Sequence, residues 1–333
     1  MKARFHNSFL AMFAALFVGA VLFPCFSAQL PAELTRFAPP DAQIVTVLEL
    51  KRLLDSPSLG ALTRELLNTE EMRRDAKRMA FFTGSDARED WEAMMWASTG
   101  GAQPRELTVV RGKFDHKRLV EFIHLGEGVT TERYLNIVLH KIPDAETKQV
   151  TVAAFLAENL LAVGGEADVR RAIETRWEKT TADEKVSATL EGFAKLPAQS
   201  FLRVAIADPL TTPEETAQGK SQVKKLFVSV AATDNAEMLV QADAVNAEVA
   251  GQLKASLEAL FALAKLLAAG QKLFSVEMMK ALNEATFEAQ ESSVTFKLRV
   301  PRAAAKELLN LLNLVPQPSP HAPVITRPFN AAP

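Results

Sequence analysis

One cysteine in 333 residues is the sharpest scarcity in this sequence. That residue, Cys25, sits in an N-terminal stretch with the marks of a targeting signal, so a chain without the stretch has no thiol. Disulfides, Cys-ligated zinc, iron–sulfur clusters and a cysteine nucleophile are excluded with it. Histidine is nearly as rare: past the leader there are His116, His124, His140 and His321. The flat aromatic faces on which sugars and bases stack reduce to Trp91, Trp96, Trp177 and Tyr134. Glycine, at 14 residues, is too sparse for Gly-rich phosphate loops or propeller blades. Charge is close to balanced, 38 basic against 40 acidic residues, and 36 against 40 once Lys2 and Arg4 leave with the leader. Such a chain has no global field to hold nucleic acid, and no nucleic-acid partner is expected.

What is present begins with the leader. Met1–Ser8 carries Lys2, Arg4 and His6; Phe9–Phe23 is a 15-residue apolar run; Pro24-Cys25-Phe26-Ser27-Ala28 follows. A basic head, a short apolar stretch, a helix breaker and small residues make a secretory signal, cleaved after Ser27 or Ala28. The expected location is therefore exported, periplasmic or extracellular, with no membrane span after cleavage. An uncleaved N-terminal anchor is the alternative, because the run with its flank reaches about 18 residues, the lower edge of a spanning helix. A lipoprotein signal does not fit: Pro24 stands where a small residue must precede the cysteine.

Beyond the leader, the 48% apolar content suits a globular core. Gln43–Leu50 reads as a strand. Ser56-Pro57 opens a helix to about Asn68, and Glu70–Phe82 is a second helix stopped at Gly84. Trp91–Ser98 and Arg105–Arg111 form a hairpin, and Asp115 caps a helix with Leu119, Phe122 and Ile123 inward. Thr130–Lys141, Gln149–Leu156 and Leu160–Val163 read as strands; Gly164-Gly165 breaks the last, and Asp168–Trp177 is a helix.

A second half runs in similar order: a helix at Val186–Leu196, strands at Ser200–Ala207, Lys225–Ala232 and Met238–Val245, helices at Ala247–Ala269 and Ser275–Glu284, and a hairpin at Thr286–Val300. Pro301 opens a last helix to about Leu314. Charges interrupt the apolar residues of Ala247–Ala269, whose Val249, Leu253, Leu257, Leu260, Ala264 and Leu267 mark an amphipathic core helix, not a membrane span. The fold class is α+β: two similar halves of antiparallel hairpins with helices packed on one face, in a pattern that an internal duplication would leave. The organisation is a signal peptide at 1–28, an N-terminal half at 29–178, a C-terminal half at 179–314 and a Pro-rich tail at 315–333 with six prolines.

Four stretches resemble a loose family of uncharacterised exported bacterial proteins built of two similar α+β halves. They are the leader, the Ala38-Pro39-Pro40-Asp41-Ala42 opening before Ile44–Leu50, the Val109-Val110-Arg111-Gly112-Lys113-Phe114-Asp115 turn, and Leu161-Ala162-Val163-Gly164-Gly165 before a helix. The likeness spans about two thirds of the chain. It implies the two-half fold and brings no activity with it.

The candidates for chemistry reduce on inspection. His116 and His124 share a helix about 12 Å apart along its axis, too far for one ion, and His140 ends a strand; all three read as surface or edge residues. Asp86, Glu89 and Asp90 lack the alternating oxygens and internal glycine of a calcium loop. Val163-Gly164-Gly165-Glu166 joins strand to helix but matches neither phosphate-loop pattern, and Glu166 and Asp168 would repel phosphate. Arg73, Arg74, Lys77 and Arg78 read as a solvated helix face diluted by Glu71 and Asp75. The 14-residue polar stretch Asp208–Ser221 is long for a loop inside a domain and free of aromatic anchors. No catalytic, cofactor-binding or metal residue is assigned. The leading functional expectation is a non-enzymatic exported protein that binds an envelope protein. The alternatives are an exported hydrolase with a site between the halves and a passive structural envelope protein.

Overall fold

The computed structural model describes residues 32–99, 104–144, 149–177, 188–191, 193, 196–207, 222–271 and 274–307. The leader, the boundary at 178/179, the stretch 208–221, the end of the last helix and the tail 315–333 lie outside the described residues.

In chain order the helices are α1 (Ala32–Thr35), α2 (Leu50–Leu54), α3 (Gly60–Leu67), α4 (Glu70–Thr83), α5 (His116–Ile123), α6 (Glu166–Trp177), α7 (Ala247–Gln271) and α8 (Val276–Glu284). The strands are β1 (Ile44–Leu48), β2 (Trp91–Ser98), β3 (Glu106–Gly112), β4 (Thr130–Tyr134), β5 (Ile137–Pro143), β6 (Val150–Ala157), β7 (Leu160–Gly165), β8 (Ser200–Ala207), β9 (Val223–Ala232), β10 (Asn235–Ala244), β11 (Thr286–Gln290) and β12 (Ser293–Pro301). All twelve form one antiparallel sheet in the order β11-β12-β10-β9-β8-β1-β2-β3-β7-β6-β5-β4. The fold is α+β.

The halves meet at the centre, where β1 pairs with β8. From that joint each half follows the same path. β1-β2-β3 runs outward, the chain leaves through α5 to the far edge, and β4-β5-β6-β7 returns to lie beside β3. On the other side β8-β9-β10 runs outward, the chain leaves through α7 and α8, and β11-β12 returns to lie beside β10.

Side chains alternate across a strand, so the register sorts the core into two faces. On the front, α5 sets Leu119 and Ile123 on Ile142, Ala153 and Leu161. Farther along that face α8 sets Met278 and Leu282 on Leu202, Val204, Leu298 and Val300, beside Leu53 of α2. On the back, α6 sets Val169, Ala172 and Ile173 on Val109, Ala154 and Ala162, beside Leu34 and Phe37.

Local chemistry explains the ends of elements. Gly84 ends α4 at φ 70°, and Asp115 accepts the Arg118 N–H at 3.1 Å to start α5. Ser56 caps a turn, its hydroxyl accepting the Leu59 N–H at 2.8 Å, and the helix behind it begins at Gly60.

Several expectations are corrected. Thr130–Lys141 is not one strand but the hairpin β4–β5, turned by Leu135 and Asn136 at φ 46° and 65°. Gly164 and Gly165 continue β7 instead of breaking it; a Cβ on Gly164 would lie 2.3 Å from the Glu106 carbonyl oxygen, so glycine lets β3 approach. The strand read as Gln43–Leu50 spans Ile44–Leu48, and Leu50 instead begins α2. In α7 the buried seam runs through Phe261, packed on Phe287 and Phe296, while Leu260 is 64% exposed. Among the described residues no helix is long and apolar enough to cross a membrane.

Candidate functional site

Two places gather polar chemistry. The first is the joint. Glu49 follows β1, Arg203 stands on the back of β8, and Arg52 comes from α2. Arg52 Nε lies 3.0 Å and Arg203 Nη2 3.5 Å from the Glu49 carboxylate, and Arg52 donates at 2.9 Å to the Ala198 carbonyl. The Arg203 guanidinium stacks over Phe193. Burial pushes the Glu49 carboxyl up to about 7, against the opposing pull of Arg52, Arg203 and Arg111. Burial likewise lowers the pKa of Arg203.

The second place is a groove of about 530 Å³ between α5 and β5, at the end of the sheet beside the β4–β5 turn. Val138, His140 and Phe155 form its floor, His116 and Val120 its wall, and Asn136, Glu158 and Arg176 its end. The His116 ring stacks on Phe155 at 3.8 Å between centroids, and its Nε2 donates to the Glu158 carbonyl at 2.7 Å. That bond settles the tautomer, leaving Nδ1 as the acceptor in the neutral ring. Arg176 comes from the last turn of α6 and stacks on Trp177.

His140 is the surprise of this region. It is buried, not an edge residue, and its Nδ1 lies 3.2 Å from Nε2 of His124, the exposed residue that ends α5. Burial, then the neighbouring His124, hold His140 below its ordinary pKa. Sequence reasoning compared His116 with His124 on one helix and missed the pair made across two elements. Only the pairing of β5 with β6, and α5 lying over both, brings the two rings together.

The other candidates fall into structural roles. Asp86 pairs with Arg88 at 2.5 Å, a bond that holds its carboxyl below the usual range, and its N–H donates to Asp90. Glu166 lies 3.0 Å from Lys141 and 2.7 Å from Arg170, and both cations also reach Glu132. Tyr134, under the Arg170 guanidinium, donates to Glu174. This network pins α6 to β4 and β5. Asp168 is buried beside Arg105 at 3.3 Å. Arg73, Arg74, Lys77 and Arg78 lie exposed on α4. Among the described residues no three His, Cys, Asp or Glu side chains gather as a metal-binding group.

No family model and no curated protein matches the sequence. Two solved structures are similar in outline. Crystal form IV of TP0453 aligns at 9% identity over 83% of this chain and 95% of that chain, with a TM-score of 0.41. Crystal form I of the same protein aligns at 8% identity over 86% and 98%, with a TM-score of 0.42. The resemblance is loose and contributes nothing to the reading of the groove.

Proposed function

We propose that the protein is an exported, non-catalytic binding protein of the cell envelope, and that the α5–β5 groove seats a segment of a protein partner. The observation that carries this is the groove itself: an apolar floor of Val138 and Phe155 with a few polar groups converging at its rim. Specific binding sites are commonly built that way. Arg176 suits an acidic group on the incoming segment, His116 Nδ1 a hydrogen-bond donor, and Val138 an apolar side chain.

The rival, a hydrolase with its site between the halves, has one observation in its favour, the Glu49 carboxyl near 7. A general acid or base is often tuned to that range. Yet Glu49, Arg52 and Arg203 are 8%, 4% and 7% exposed, so a substrate would have to displace a guanidinium to reach the carboxylate.

The test is photo-crosslinking in intact cells from position 138, with position 297 on the opposite face as control. The proposal expects one saturable adduct from position 138, lost in Arg176→Glu, and none from position 297. Equal capture from both positions, or no saturable adduct, overturns it; the second result favours a passive structural role.

A further inference from the structure

We propose that His124 and His140 form a two-ligand site for a divalent transition-metal ion of the zinc or copper class, at the C-terminal end of α5. The sequence places these residues on a helix and a strand; the fold brings His124 Nε2 and His140 Nδ1 to 3.2 Å. Two nitrogens bound to one ion at about 2.0–2.1 Å stand about 3.3 Å apart at a tetrahedral angle and about 2.9 Å apart at a right angle. The observed separation lies between those limits, so both rings reach one ion with little movement.

Without metal, the pair is held by one proton shared as a hydrogen bond, since one nitrogen must donate and the other accept. An ion takes both lone pairs, so the donor ring carries its proton on its other nitrogen instead, His124 Nδ1 or His140 Nε2, and both rings bind as neutral imidazoles. Three further features favour the site. Imidazole is a preferred ligand for zinc, copper and nickel. The ion would sit where α5 presents its last carbonyl groups, the negative end of the helix dipole. His140 is anchored within the sheet, opposite Thr131 and Ala153, so one ligand is fixed in advance. The other, His124, is exposed and can adjust.

Two protein ligands leave coordination positions open for water or an incoming donor. His140 also lines the α5–β5 groove, so a group seated there lies next to those positions. The site does not depend on the groove holding a protein partner.

The experiment is calorimetric titration of the mature chain, carrying no affinity histidines, with ZnCl2 and separately with CuCl2. The expected result is saturable 1:1 binding that is retained in His116→Ala and lost in His124→Gln. Because His124 is exposed, His124→Gln should melt like the parent in the absence of metal, and only the parent's melting temperature should rise with metal. Absence of saturable binding by the parent, or binding unchanged in His124→Gln, overturns the proposal. Loss in His116→Ala would place the ion elsewhere and overturn it too.

Discussion

The two halves of the sheet follow one path but are covered differently. The edge strand β4 is largely exposed, whereas inner strands at the joint and in the N-terminal half are buried on both faces, β3 at five of its seven positions and β8 at six of eight. Both faces carry helices there, α5 on the front and α6 on the back. In β12 burial alternates instead, with Val294, Leu298 and Val300 inward and Lys297 and Arg299 exposed. The strand sequences show the same split: LTVV in β3 is buried at every position and carries no charge, while VTFKLRV in β12 switches between apolar and polar at every step. A strand with one covered face needs only alternation, whereas one packed on both faces needs apolar side chains throughout. The lesson is that similar topology does not mean similar burial, and that the joint encloses three charged side chains together, Glu49, Arg52 and Arg203.

The largest effect should come from breaking that joint. At pH 8, Glu49→Ala leaves Arg52 and Arg203 buried without their carboxylate. Removing one partner of a buried ion pair costs about 3–5 kcal/mol. Chemical denaturation should show that loss in one cooperative transition, since β1 and β8 belong to one sheet. Two separate transitions in the parent would show that the halves are energetically independent.

Coverage is tested next by paired truncations on the back face. Ile173 of α6 is fully buried, and Ile173→Ala should cost about 2–5 kcal/mol. Leu239 of β10 is on the same face but only half buried, so Leu239→Ala should cost clearly less. Equal losses would mean that the back of the C-terminal half is covered as fully as the N-terminal half.

The joint also sets a pH dependence. Glu49 titrates near 4.5 when exposed and is pushed up to about 7 in the fold. Between those values the folded chain holds a proton that the unfolded chain has released. The contribution is therefore fully present below about pH 4.5, falls as pH rises through about 7, and is flat above. With allowance for solvent screening it amounts to on the order of 2 kcal/mol. Urea midpoints measured from pH 5 to pH 8 should fall in the parent, and Glu49→Gln should lose that part of the slope.

How much of this was legible in the sequence depended on distance along the chain. The cap at Asp115, the stop at Gly84 and the alternation in β12 are local signals, and each predicts its element. The β4–β5 hairpin was hidden because Leu135-Asn136 carries no glycine, although asparagine tolerates the left-handed conformation better than most residues. The single sheet was not legible, because nothing local says that β1 pairs with β8. The same holds for both polar sites. Glu49 meets Arg203, and His124 meets His140, only through strand pairing and helix docking. A buried charge such as Arg203 inside the apolar SFLRVAIA run was the one local hint, since arginine is seldom buried without a partner.

Among the described residues no helix packs on the back of β10 and β12; the smallest effect should lie there, and its contrast with the N-terminal half completes the comparison. Lys297 lies 2.8 Å from Glu288 and Arg299 3.3 Å from Glu237, but these side chains are 42–66% exposed. Water competes for each partner and salt screens what remains, so Lys297→Ala should shift stability by less than about 0.5 kcal/mol. Lys141 in the N-terminal half is different in kind. Its ammonium group serves Glu132 and Glu166 together, both of which also bind Arg170, so one lysine ties α6 to the β4–β5 hairpin. Lys141→Ala should therefore lower the melting temperature more than Lys297→Ala, and the gap should narrow at 1 M salt as screening shortens the reach of the network to about 3 Å. Thermal melting of both variants at low and high salt makes the comparison. Equal shifts at low salt would show that the network contributes no more than an isolated surface pair, and the packing of Val169, Ala172 and Ile173 would then be the main hold of α6 on the sheet.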